Sequence, residues 1–187
     1  MWVRRACLGM LGCVLVASLA VVGQAKAALA PGDKAPDFNA DAALGGQPFK
    51  FSLSGALKKG PVVLYFFPKA FTSGCTLEAH LFAEATPKFS ALGATVIGMS
   101  RDSLETLQRF SVEECRNSFA VAADPESRTI KAYGVGLTLL PDVAGRISFA
   151  ISPRGQILDT LVSGDPEEHV TAMMKAVQAW RAANPNP

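Results

Sequence analysis

The sequence predicts a single α/β domain in which a mixed central sheet is flanked by helices. Three observations carry that expectation. Val62-Val63-Leu64-Tyr65-Phe66-Phe67 is a nearly unbroken β-branched and aromatic run, which suits a strand buried on both faces. A helical pattern beginning at about Cys75 leads to a second apolar run, Ala94 to Ser100, so the two strands form a parallel crossover unit. Further on, Ile147 to Ser152 and Gln156 to Val162 flank Pro153-Arg154-Gly155, an antiparallel hairpin signal followed by a last helix.

In chain order, Met1-Trp2-Val3-Arg4-Arg5 is positively charged, residues 6 to 23 are apolar or small, and small residues occupy the A-x-A positions before Ala28. Residues 1–27 therefore read as a secretory signal peptide. The alternative is a membrane anchor, since the apolar run approaches the lower limit for a spanning helix. Arg4-Arg5 and Gly12-Cys13 are poor matches to twin-arginine and lipoprotein signals. Cleavage removes Arg4, Arg5 and Lys26, so 18 basic residues fall to 15 against 16 acidic ones. A near-neutral mature chain argues against nucleic acid or an anionic membrane as the main partner. Cleavage also removes Cys7 and Cys13 and leaves Cys75 and Cys115, in an exported location, expected to be the bacterial periplasm, where disulfides persist. The remaining domain, 28–182, is long enough for one ample core, and 183–187 is a polar tail.

Within the domain, residues 30–37 carry Pro31, Gly32 and Pro36 and read as an extended surface entry. Gly45-Gly46 before Phe49-Lys50-Phe51 predicts a short hairpin edge, and Leu53 to Lys59 a brief helix closed by Gly60. The helix after Cys75 has Leu77, Leu81 and Phe82 on one face, and Pro87 is expected to kink or restart it. Ser103 caps a helix running to about Arg116, with Cys115 near its end. A short strand (119–123), a short helix (127–133) and a loop marked by Gly134, Gly136 and Pro141 follow. Asp165-Pro166-Glu167-Glu168 supplies a cap, a first-turn proline and acidic residues for the last helix, whose buried stripe is Val170, Met173, Met174 and Val177. This outline is compatible with a thioredoxin-like fold.

The chemistry centres on Pro68-Lys69-Ala70-Phe71-Thr72-Ser73-Gly74-Cys75. Proline ends the strand, Thr72, Ser73 and Gly74 are helix-cap types, and the thiol falls in the first helical turn. Unpaired backbone N–H groups and the positive end of the helix dipole there favour the thiolate, which is the nucleophile. Thr72 is expected to place a hydroxyl near the sulfur, and Pro68 to pack over the pocket and limit water. A cysteine flanked by apolar residues is otherwise commonly inert packing.

Here the chain resembles the peroxiredoxins, whose pattern P-x-x-x-T-x-x-C is met by Pro68, Thr72 and Cys75. Leu64-Tyr65-Phe66-Phe67-Pro68-Lys69 and Gly74-Cys75-Thr76-Leu77-Glu78-Ala79 look most like the bacterioferritin-comigratory (PrxQ) subfamily, and the likeness runs from about Ala30 to the last helix. The resemblance implies reduction of hydrogen peroxide and organic hydroperoxides by the Cys75 thiolate, which becomes a sulfenic acid, with no metal, haem or other cofactor. It places the family's arginine at Arg146, where the guanidinium would favour the thiolate and stabilise charge on the leaving oxygen. Glu78 would hold that arginine by a bidentate pair. Thr72, Gly74 and Arg146 would bind the peroxide, with the Gly74 and Cys75 N–H groups completing the donors. Read without the resemblance, Arg146 is a surface arginine, Glu78 a complement to the helix dipole and Lys69 a solvated side chain.

Many members of the subfamily carry a resolving cysteine five residues after the first, and here that position is His80. The resemblance leaves two routes. Cys115 condenses with the sulfenic acid, or it is a half-buried packing residue and an external thiol resolves the intermediate. A thioredoxin-like or low-molecular-weight thiol would be the reductant, and the chain a monomer or weak homodimer. His80 lies about 140° around the helix from Cys75 and is not expected to act as a base, and His169 reads as surface. The competing functions are a thiol:disulfide oxidoreductase, opposed by the lack of C-x-x-C at Cys75, and a thioredoxin-fold binding or copper-handling module, which would need a second cysteine or histidine facing Cys75.

Overall fold

A computed structural model describes residues 27–185. The proposed signal peptide, residues 1–27, lies outside the described residues apart from Ala27, as do the last two residues of the tail. The strands are β1 (Asn39–Leu44), β2 (Gln47–Ser52), β3 (Val62–Phe66), β4 (Thr95–Ser100), β5 (Ala120–Ala123), β6 (Ile147–Ile151) and β7 (Ile157–Val162). They form one sheet in the order β2-β1-β5-β4-β3-β6-β7. The pairs β3–β4 and β4–β5 are parallel, whereas β1–β2, β1–β5, β3–β6 and β6–β7 are antiparallel, which is the mixed sheet the sequence predicts.

The helices are α1 (Leu53–Leu57), α2 (Ser73–Ala91), α3 (Leu104–Glu113), α4 (Arg128–Tyr133) and α5 (Pro166–Ala183). Alternation along β3 shows why it is apolar throughout. Val62, Leu64 and Phe66 join the core shared with α1 and α4, and Val63, Tyr65 and Phe67 join the core shared with α2, α3 and α5. Strand β6 divides in the same way, with Ile147, Phe149 and Ile151 on the first side and Ala150 on the second. Arg146 and Ser148 share the parity of Ala150, so both belong to the face covered by α2 and α5.

Local chemistry sets the ends of these elements. Ser103 Oγ accepts from the Thr106 N–H at 3.2 Å, and Asp165 Oδ1 accepts from the Glu167 N–H at 2.9 Å. Two expectations need correction. Helix α2 runs unbroken through Pro87, because a proline forfeits one hydrogen bond while Phe82, Ala83, Ala85 and Phe89 are all buried on either side of it. Helix α3 ends at Glu113 with Glu114 as its cap, so Cys115 lies beyond the helix, and it is fully buried rather than half-buried. Arg116 and Asn117 then take left-handed φ values of 52° and 57°, which turns the chain into β5. Among the described residues, no helix is long and apolar enough to cross a membrane.

Candidate active site

The strand β3, the loop from Phe67 to Thr72 and the start of α2 deliver Cys75 as the third residue of the helix. Its side chain is buried, at 2% exposure. The loop is held by β4. Ala70 N–H donates to Asp102 Oδ2 at 2.8 Å, and the same oxygen accepts from Ser100 Oγ at 2.8 Å. Phe71 adopts a left-handed φ of 63°, a conformation costing about 1–3 kcal/mol for a bulky residue. Its ring meets Phe110 edge-on at 5.2 Å, and the Arg109 guanidinium lies 5.3 Å from its centre, so α3 holds the strained residue in place.

Thr72 is the cap residue of α2 in extended backbone, but its hydroxyl donates to the Lys69 carbonyl oxygen at 3.0 Å and does not cap the helix. The first helical bond runs from Thr76 N–H to Thr72 O at 2.8 Å. The N–H groups of Ser73, Gly74 and Cys75 precede it and point out of the helix start, the positive end of the backbone dipole. With its hydrogen committed to Lys69, the Thr72 oxygen keeps its lone pairs for an O–H donor arriving from outside. Pro68 is half-buried on an open depression shared with Lys69, Arg101, Asp102, Ser103, Pro125 and Val143, and Cys75 does not line that depression.

Arg146 stands directly before β6 and is 12% exposed. Its Nη2 lies 3.7 Å from Cys75 Sγ, and its Nη1 donates to Glu78 Oε2. The guanidinium fork is thus divided between the sulfur and a carboxylate, and the bidentate Glu78 pair expected from the sequence is a single contact. Gly74 is part of the fit, since a Cβ there would stand 2.8 Å from Arg146 Nη2, too close for any side chain to be tolerated without moving the guanidinium. Glu78 is completely buried. Burial pushes its carboxyl up to about 8, and the charge and hydrogen bond of Arg146 offset only part of that rise.

The second thiol shares the burial and the core of the first but not its surroundings. Cys115 is free, and burial pushes it well above an ordinary thiol, with the adjacent Glu114 adding to the effect. His80 Nε2 lies 2.7 Å from Glu114 Oε2, and Arg116 pairs with Glu84 at 3.1 Å, so contacts from α2 flank Cys115 on both sides. His80 is therefore engaged away from Cys75, as its helical position implies.

His169 is not on the surface. It is fully buried, with Nδ1 2.8 Å from Ser148 Oγ and Nε2 3.1 Å from the Ser163 carbonyl oxygen. Residues 169, 173 and 177 recur at four-residue spacing, and that periodicity would have put His169 on the buried stripe with Met173 and Val177. Ser100 and Asp102 were also missed, and no local pattern announces them, because their partner is a loop some thirty residues away in the chain.

The sequence model of the AhpC/TSA family matches residues 31–160. The chain is 30% identical over 148 residues to a putative peroxiredoxin bcp of Haemophilus influenzae, covering 75% of this chain and 91% of that one. It is 32% identical over 127 residues to the chloroplastic peroxiredoxin Q of Sedum lineare, covering 66% and 67%. It spans only 56% of the corresponding protein of Triticum aestivum and 57% of that of Populus jackii. Among solved structures, peroxidoxin BcpB of Mycobacterium tuberculosis superposes with a TM-score of 0.71 at 29% identity, covering 81% of this chain and 97% of that one. The chain belongs to the AhpC/TSA family of peroxiredoxins, among relatives of the peroxiredoxin Q and bcp type.

Proposed function

We propose that the chain is a thiol-dependent peroxidase acting on hydrogen peroxide and organic hydroperoxides through Cys75. One observation carries this reading: the Arg146 guanidinium touches Cys75 Sγ with one nitrogen and the buried Glu78 with another. A cation fixed beside the sulfur stabilises the thiolate before reaction and the departing oxygen anion during it. The thiolate attacks the terminal oxygen of HO–OR, a sulfur–oxygen bond forms as the oxygen–oxygen bond breaks, and the RO⁻ released takes a proton to leave as alcohol or water. Sulfur is oxidised by two electrons to the sulfenic acid, and the peroxide is reduced by the same two. The lone pairs of Thr72 and the free N–H groups of the first turn of α2 are placed to orient the peroxide.

Cys115 then attacks the sulfenic acid, releasing water and forming an intramolecular disulfide, which a thioredoxin-like donor reduces. Both thiols are free and buried, so forming the disulfide would involve local opening around Cys75 and Cys115 to bring their Cα atoms within about 7 Å. The burial of Cys115 and the identity of His80 favour a second route, in which an external thiol takes the sulfenate directly. The leader at residues 1–27 suits export, to a bacterial periplasm, and the mature chain would act as a monomer or weak dimer.

The test is mass spectrometry of the reduced protein after one equivalent of hydrogen peroxide. A bond between Cys75 and Cys115 with loss of two hydrogens is expected, and persistent Cys75 sulfenate would select the external-thiol route. Unchanged peroxide in the presence of dithiothreitol, with Cys75 still reduced, would leave a thioredoxin-fold binding module as the better reading.

A further inference from the structure

Glu78 Oε1 is a buried carboxylate oxygen with no hydrogen-bond partner among the described residues, although the other oxygen of the same carboxylate anchors Arg146. It faces His169 Nδ1 at 3.9 Å, and both side chains are completely buried. A fully buried, unpartnered carboxylate oxygen is costly. The histidine opposite comes from α5, an element with no part in the chemistry described so far.

The hydrogen bonds of His169 fix its tautomer. The Ser163 carbonyl can only accept, so Nε2 carries the hydrogen. In the neutral ring Nδ1 is then a lone pair, and the Ser148 hydroxyl donates to it. A lone pair gives Glu78 Oε1 nothing to bond, so the pull of the carboxylate stays on Arg146. A proton on Nδ1 would reverse this. Ser148 would turn to accept, and an imidazolium N–H would face Oε1 and compete with Arg146 for the carboxylate.

We propose that His169, seated by Ser148 and the Ser163 carbonyl, is a positioning residue whose neutral form keeps Glu78 committed to Arg146 and so keeps the guanidinium against Cys75. The inference rests on the peroxidase reading of Cys75. The charged groups facing His169 are Glu78 from α2, Arg146 from the start of β6, and Asp165 and Glu168 from the start of α5. Burial and Arg146 oppose charging of the ring, whereas the Ser163 carbonyl and the two α5 carboxylates favour it. The balance lies below the ordinary histidine value, so the ring is neutral at neutral pH. Acidification then weakens the hold on Arg146, and the site loses peroxide reactivity faster than it loses thiolate.

The experiment compares two rates at the same sulfur across pH 5 to 8: peroxide oxidation of Cys75 and its alkylation by iodoacetamide, which needs the thiolate but no stabilised leaving oxygen. In the unmodified protein the ratio of peroxide to alkylation rate is expected to fall on acidification. His169→Asn keeps an acceptor for Ser148 but takes no proton, and the fall of the ratio should become shallower, the remainder belonging to Glu78, whose own carboxyl is pushed up to about 8. His169→Leu removes the seat altogether and should lower the ratio about ten- to a hundredfold at neutral pH, the usual cost of a misplaced catalytic group. If His169→Leu does not fold by circular dichroism, His169→Asn decides alone. A ratio whose pH dependence is the same in the unmodified protein and in His169→Asn overturns the proposal. An unmodified protein that alkylates at Cys75 yet leaves peroxide intact overturns the peroxidase reading and this inference with it.

Discussion

The two cysteines of the domain are equally buried and sit in the same core, yet they occupy opposite electrical ends of two helices. Cys75 lies in the first turn of α2, beside unpaired N–H groups and 3.7 Å from a guanidinium. Cys115 follows the last turn of α3, where its own N–H donates to the Phe110 carbonyl oxygen at 3.0 Å and its neighbour Glu114 is an acid. Backbone charge is positive at the first position and negative at the second. Burial alone therefore does not decide what a thiol can do. A buried sulfur facing a cation and a helix start has groups beside it that favour negative charge, and one at a helix end beside a carboxylate has groups that oppose it.

The sharpest way to break that comparison is to remove the cation. Arg146→Met should slow peroxide oxidation of Cys75 by about 10²–10³-fold in stopped-flow measurements, the usual scale for losing an electrostatic donor in the transition state. It should also destabilise the fold by about 1–3 kcal/mol in urea titration, because the buried Glu78 carboxyl, already pushed up to about 8, loses its hydrogen-bond partner. A loss below threefold in rate would mean that the helix start does the work without the arginine.

The next effect concerns pH at Cys115. Its folded value lies above the ordinary thiol value of 9.0, so between the two the folded state binds the proton that the unfolded state releases. The stability contributed by this thiol is complete below pH 9 and is lost as pH rises above it. The melting temperature of the reduced protein should consequently drop more steeply above pH 9 than that of Cys115→Ala. Parallel curves would show that Cys115 already titrates as an exposed thiol.

The smallest effect sharpens the account of how Cys115 is held. The half-exposed His80–Glu114 contact is worth up to about 1 kcal/mol. His80→Ala should raise the rate of Cys115 alkylation in the reduced protein by a few-fold and leave Cys75 alkylation unchanged. An equal change at both thiols would point to loosening of all of α2 rather than of the segment around Cys115.

Much of this arrangement was legible in the chain because it depends on short-range order. The apolar run ending at Phe67, Pro68 after it, the cap types Thr72 to Gly74 and the thiol three residues on fix a strand, a turn and a helix start. Arg146 was placed by resemblance to a family pattern, not by its neighbours in sequence. The division of its fork between sulfur and carboxylate was not legible, because it depends on β6 pairing with β3 in the register that sets Tyr65 opposite Ser148. The continuity of α2 through Pro87 escaped local rules for a related reason, since packing along the whole helix outweighed one missing hydrogen bond.

What the sequence by itself determined is therefore the identity of the nucleophile and the helix start that holds it, since propensity, capping and periodicity act within a few residues. Only the tertiary structure decided which distant groups surround that sulfur. Helices α2 and α5 meet over one face of β6, and that meeting buries Glu78 between Arg146 and His169. The energy of a buried charge depends on what desolvates it and what pairs with it in space, and residues 78, 146 and 169 become neighbours only when the sheet is assembled.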